Sequence, residues 1–216
     1  KVNLPEYHGS NICLIGLQRQ LLSIRNDLVT VLIHGSQADG FTTGYSDVDA
    51  LVVLKDEVFD RPADLARIAS VLSDSRKWFH QIDPLQHHGW FVLTERDLEA
   101  YPERILPLEA LKDAKVLAGQ SELRIGYDTV VEPLYRSFGV QMMQRFSERL
   151  SEGWRPSNCY QLKSFLSESM MLPVVYLQAR DQKGWSKKAS FSVAKDDFSS
   201  KEWSVIEELS EVRRNW

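Results

Sequence analysis

The chain has 216 residues and a formal net charge of -4, with 43% of residues hydrophobic and 26% charged, an ordinary composition for a soluble globular protein. This length suits one large domain or two small ones, each able to bury a core. The mildly acidic balance argues against a protein that coats nucleic acid, although a local basic pocket stays possible. The two isolated cysteines, Cys13 and Cys159, argue against a disulfide scaffold or a zinc site and point to a reducing cytoplasm. No apolar run approaches the roughly 18 residues that span a bilayer, and "KVNLPEYHGS" lacks a signal-peptide core. The chain opens on Lys rather than Met and stops inside a helical pattern, which leaves room for natural residues on either side.

Residues 11–27 place Leu14, Leu17, Leu21 and Ile24 at helical spacing behind Ser10 or Asn11 as N-cap. "LVTVLIHG" is a β-branched run closed by a glycine, the pattern of a buried strand. The loop "SQADGFTTGYS" leads into "DVDALVVL", a second strand. "DRPADLARIASVLSDSRKW" predicts a helix, with Pro62 near its start and a stripe of Leu65, Ile68, Val71 and Leu72. "LQHHGWFVLT" predicts a third strand interrupted by Gly89, and "DLEAYPERILPLEALKDAKVLAG" a turn and short helix closed by Gly119.

From about residue 120 onward only helical periodicity remains. It is carried by "VVEPLYRSFGVQMMQRFSERL", "NCYQLKSFLSESMMLPVVYLQARD" and "SSKEWSVIEELSEVRRNW", with "SEGWRPS" and "KGWSKKASFSVAKDDF" between them. The expected fold class is α+β: a small mixed β-sheet domain over residues 1–119, then an all-helical domain over residues 120–216.

The chemistry gathers in "GSQADGFTTGYSDVDA". Side chains at i and i+2 of a strand share a face, so Asp47 and Asp49 project together while Val48 turns to the core. Two carboxylates so close repel one another, and a divalent cation relieves the repulsion. Magnesium suits them, because it takes hard oxygen ligands and keeps waters and phosphate oxygens in its shell. Gly35 permits close backbone approach, and Ser36 offers a hydroxyl and an N–H to a phosphate. An Asp-x-Asp pair alone is common on solvated edges, and a Gly-Ser turn alone is commoner still. In this order, at the ends of two apolar strands, they are more informative.

Gly35-Ser36, ten further residues and then Asp47-Val48-Asp49-Ala50 resemble the signature of the DNA polymerase β-like nucleotidyltransferase superfamily. That resemblance covers roughly residues 11–119. It implies triphosphate binding by Gly35 and Ser36, two magnesium ions on Asp47 and Asp49, and attack of an acceptor hydroxyl on the α-phosphorus. Two departures stand out. Asp39 occupies a place where relatives often carry Arg or Lys. The third carboxylate that many members bear on the next strand is absent, because "PLQHHGWFVLT" holds none. His88 is the candidate base, since an unperturbed imidazole titrates near about 6.5, and Asp83 the alternative, against the plainer reading that His87 and His88 decorate a strand.

The two-domain order also resembles the aminoglycoside adenylyltransferases. On that resemblance Lys187, with Lys188 beside it, contacts the nucleotide and offsets Asp39; as ordinary residues, both belong to a solvated turn. Tyr160 and Tyr176 are candidate acceptor-lining residues, and Glu168 a candidate partner for a cationic acceptor.

The resulting expectation is a cytoplasmic, magnesium-dependent nucleotidyltransferase. It moves a nucleoside monophosphate, AMP from ATP, to a hydroxyl of a small molecule, with an aminoglycoside-like compound favoured. A protein or tRNA end is the rival acceptor, the acidic balance weighing against RNA. Two alternatives stay open: a nucleotide-binding or partner-binding module of the same fold, and a purely structural hairpin.

Overall fold

The protein is described by a computed structural model covering residues 1–40, 42–101, 106–126, 132–181 and 183–216. Phe41 of the expected loop, residues 102–105 of the expected turn, and Val130 and Val131 of the first expected C-terminal helix lie outside the described residues. The chain divides into two compact units, Lys1–Pro102 with Ala110–Tyr127, and Glu103–Glu109 with Asp128–Trp216. The first is a small mixed sheet with helices and the second is helical, an α+β architecture as the sequence pattern implies.

The first unit starts with a two-residue strand, β1 (Val2–Asn3). Asn11 then caps helix α1 (Ile12–Leu21), its side chain accepting from the N–H groups of Cys13 and Leu14 at 3.0 and 3.4 Å. Beyond Leu21 the helix tightens into a 3-10 segment, Leu22–Asp27, that feeds strand β2 (Leu28–His34). A one-turn helix, α2 (Ser36–Asp39), precedes strand β3 (Asp49–Leu54). Helix α3 (Pro62–Ile82) has proline in its first turn, where no N–H is required. Strand β4 (Trp90–Thr94), the short helix α4 (Glu95–Glu99), and strands β5 (Lys115–Gly119) and β6 (Glu122–Leu123) complete the unit.

The main sheet has the order β4-β3-β2-β5. Strands β2 and β3 are antiparallel with His34 opposite Asp49, and β3 and β4 are parallel with Ala50 beside Trp90. One edge of the sheet therefore collects the end of β2 and the beginnings of β3 and β4. Strand β2 is buried along nearly its whole length and β3 beyond its first residue, which is why both read as near-continuous apolar runs. Val31, Ile33, Ala50, Val52 and Leu54 join Leu14, Leu17, Leu21, Ile68, Leu72 and Phe79 in one core.

Three local expectations change. Strand β4 begins only at Trp90, so His87 and His88 lie in the loop before it, since Gly89 has no side chain to pack on a pleated face. Lys115–Gly119, expected to close a turn, is an edge strand paired with β2. Gly119 has φ of +91° there, and a Cβ on it would stand 2.4 Å from the Val29 carbonyl oxygen. The small β1–β6 pair carries no pattern long enough to read.

The second unit comprises α5 (Glu132–Ser151), α6 (Cys159–Ser169), α7 (Leu172–Asp181), α8 (Lys187–Lys195) and α9 (Ser200–Arg214). The run read as one helix from 158 to 181 is two, because Pro173 lacks an N–H and its ring collides with the preceding turn. It instead occupies the first turn of α7. The stretch read as a separator holds α8, capped by the Ser186 hydroxyl accepting from the Ala189 N–H at 3.2 Å. Leu177, Ala194, Trp203 and Ile206 form one buried cluster among the described residues, with Trp185 and Phe191 against it. Arg180 bonds Asp181 and Asp197, and its guanidinium holds the Asp181 carboxyl below the usual carboxylate range; the Trp185 indole N–H adds a 3.1 Å bond to Asp181. Among the described residues no helix is long and apolar enough to cross a membrane.

Phe79 is fully buried and its ring lies 5.0 Å from that of Trp90, tying α3 to the start of β4. Phe79→Ala is expected to destabilise the fold by about 3–5 kcal/mol, the range for deleting a buried aromatic ring. Urea unfolding followed by tryptophan fluorescence measures it.

Candidate active site

Gly35 and Asp49 meet at the sheet edge. Antiparallel register puts Asp49 opposite His34, and the chain leaves β2 through Gly35 at φ +63°, a conformation few L-residues adopt without strain. A Cβ on Gly35 would stand 2.7 Å from Asp49 Oδ2. The glycine thus serves both the turn and the approach of the carboxylate. Ser36 is the first residue of α2, and Ala38 and Asp39 donate their N–H groups back to the Gly35 carbonyl at 2.9 and 3.1 Å. Asp39 is exposed at the end of that turn.

Val48 is completely buried between two acids that are each partly exposed. Val48 and Ala50 turn into the core. The loop before them is folded on itself: the Ser46 hydroxyl accepts from the Thr43 N–H at 2.9 Å, and the Ser46 N–H donates to the Thr43 carbonyl at 3.0 Å.

Gln86 is the residue that sequence reasoning passed over. Its side chain is buried and its amide reads both backbone groups of Val48, accepting from the N–H at 2.9 Å and donating to the carbonyl at 3.0 Å. The same Nε2 donates to the His88 carbonyl at 2.8 Å. One side chain therefore fixes the backbone between the two aspartates and the backbone of the His87–His88 segment. A glutamine that pairs with backbone 38 residues away leaves no local pattern to find; its neighbourhood to the paired histidines was the only signal.

That clamp brings the histidines to Asp47. His87 Nδ1 lies 3.4 Å and His88 Nε2 3.9 Å from Asp47 Oδ2, and the two rings are 3.8 Å apart between centroids. Asp83 is placed differently. It ends α3 in the buried interior, its carboxylate accepting from the Leu85 N–H at 3.0 Å. Asp47, His87 and His88 make a cluster of possible cation ligands among the described residues, and neither Asp49 nor Asp83 belongs to it.

In the helical unit Lys187 and Lys188 are exposed on the first turn of α8 rather than in a turn between helices. Glu168 is engaged by Arg145 at 3.1 Å and by Arg149, so its charge is already answered within the unit. Tyr176, beside Phe198, lines a groove of about 670 Å³ between α5 and α7, while Tyr160 stands exposed on α6.

Residues 17–114 match the nucleotidyltransferase domain family. A spectinomycin adenyltransferase from Enterococcus faecialis, solved with ATP and spectinomycin, shares the fold with a TM-score of 0.53 at 12% identity, covering 94% of this chain and 88% of that one. A search of curated protein sequences finds no match. Residues 17–114 thus carry the match to a nucleotidyltransferase domain, and the chain as a whole shares the fold of that adenyltransferase, a small mixed-sheet unit followed by a helical one.

Gln86→Met keeps the side-chain length and removes both polar ends. It is expected to cost about 1–3 kcal/mol, because it strips these partners from buried backbone groups. Urea unfolding measures the loss, and wild-type stability in this variant would show that the clamp is not holding Val48.

Proposed function

We propose that the protein transfers AMP from ATP to a hydroxyl of a small-molecule acceptor, with magnesium bound by Asp47 and Asp49. The observation that carries this reading is the meeting of Gly35 with the Asp49 carboxylate where β2 ends and β3 begins, with Asp47 two residues before it. The donor set suits magnesium: two hard carboxylates, partly exposed, on a backbone that cannot drift. When bound, the metal neutralises charge on the triphosphate. Gly35 lets the phosphates approach the main chain, and Ser36 supplies a hydroxyl and an N–H to them.

His88 is the proposed proton acceptor in preference to Asp83. Its ring is about half exposed beside Asp47, whereas Asp83 is buried and engaged by the Leu85 N–H. The acceptor oxygen gives its proton to His88 Nε2 and bonds to the α-phosphorus, and the bond to pyrophosphate breaks. Lys187 and Lys188 are proposed to face the triphosphate and to offset Asp39. That assignment rests on the resemblance of the α8 region to the nucleotide-contacting lysines of the adenylyltransferases. The small-molecule acceptor rests on the likeness to an adenyltransferase solved with ATP and spectinomycin.

The test is pyrophosphate release from each of the four nucleoside triphosphates with magnesium and a panel of hydroxyl-bearing acceptors. ATP should be preferred. Asp47→Ala and Asp49→Ala should each lower the rate at least about 100-fold, the scale of removing a preorganised charge-stabilising group. No release with any nucleotide, despite a thermal shift by magnesium-ATP, would contradict transfer and leave a binding module. His88→Ala should slow turnover roughly 100-fold or more while nucleotide binding persists. The same pattern from Asp83→Ala, with His88→Ala silent, would reverse the base assignment.

A further inference from the structure

The cluster beside the magnesium ligands has a chemistry of its own. Asp47 Oδ2, His87 Nδ1 and His88 Nε2 lie within 4.8 Å of one another, with 3.4 and 3.9 Å from the carboxylate oxygen to the two nitrogens. A tetrahedral ion with bonds of about 2.0–2.1 Å holds its ligand atoms roughly 3.3 Å apart, so only a small closing movement seats a cation among the three. Two imidazoles with one carboxylate are poor company for magnesium, which takes oxygen, and good company for zinc and its first-row neighbours. Burial is graded in the useful direction. The side chains of Asp47 and His87 are 17% and 13% exposed, while His88 at 54% leaves one side open to water. The Gln86 amide bonds Val48 and the His88 carbonyl, fixing the backbone on which ligands from both segments are carried.

We propose that Asp47, His87 and His88 form a binding site for a divalent transition cation, with zinc the best fit, that magnesium does not fill. The site deepens the active-site reading, because it takes Asp47 from magnesium and His88 from the acceptor proton. Zinc is therefore expected to inhibit transfer. Cation binding needs no nucleotide and no turnover, so its outcome is separate from that of the transfer assay.

The experiment titrates the metal-free full chain with cobalt, a spectroscopic stand-in for zinc, and reads the ligand-field absorption. One cobalt per chain should bind, be displaced by zinc and survive a large excess of magnesium. His87→Ala and His88→Ala should each weaken binding more than about 10-fold, since loss of a ligand costs at least what loss of its supporting contacts does. Asp49→Ala should leave the spectrum in place. Thermal melting checks that each variant is folded, and the exposed His88 keeps the test informative if His87→Ala does not fold. Absence of cobalt binding in the wild type overturns the proposal. So does displacement by magnesium, or binding that depends on Asp49 and survives loss of both histidines.

Discussion

The pairing of the Gln86 amide with both backbone groups of Val48 is the constraint from which the site follows. Val48 is buried and separates two acids whose charges repel. Left to strand alternation alone, Asp47 would hang from a chain not yet in β3, which begins at Asp49. The side chain of Gln86 extends the pairing by one residue beyond the sheet, as a strand neighbour would. Because the same nitrogen holds the His88 carbonyl, the segment carrying the histidines is set against Asp47 by the same group.

The second constraint is the exit from β2. Register places His34 opposite Asp49, and the positive φ of Gly35 turns the chain while clearing room for the Asp49 carboxylate. Asp47 thus leans towards the histidine loop and Asp49 towards the glycine turn. This division gives the two acids of one motif unlike surroundings. Asp49 sits against main chain, where phosphate is proposed to bind. Asp47 sits against the imidazoles of His87 and His88. Within the helical unit Lys187 and Lys188 begin α8, and Glu168 is paired with Arg145 and Arg149.

How much of this could be read beforehand depended on distance along the chain. Strands β2 and β3 were legible because burial on both faces makes their sequences continuously apolar. Pro173 was visible in the sequence, but the apolar pattern around it masked the break it causes. Helix α8 was hidden by its two leading lysines, although Ser186 is a plain N-cap. Strand β5 is five residues of an edge, too short to show a period. The contacts among Gln86, Val48, His87, His88 and Asp47 depend on the parallel register of β3 with β4, and no local pattern encodes that.

The sheet edge at Gly35, Asp47 and Asp49 is proposed to hold a metal-bound nucleoside triphosphate. A crystal structure with a nonhydrolysable ATP analogue and magnesium decides it. The triphosphate should lie over Gly35 and Ser36, with magnesium on the carboxylates of both Asp47 and Asp49 and the α-phosphorus open towards His88. A nucleotide bound at any other surface, or a triphosphate at this edge with no metal on the aspartates, would contradict it.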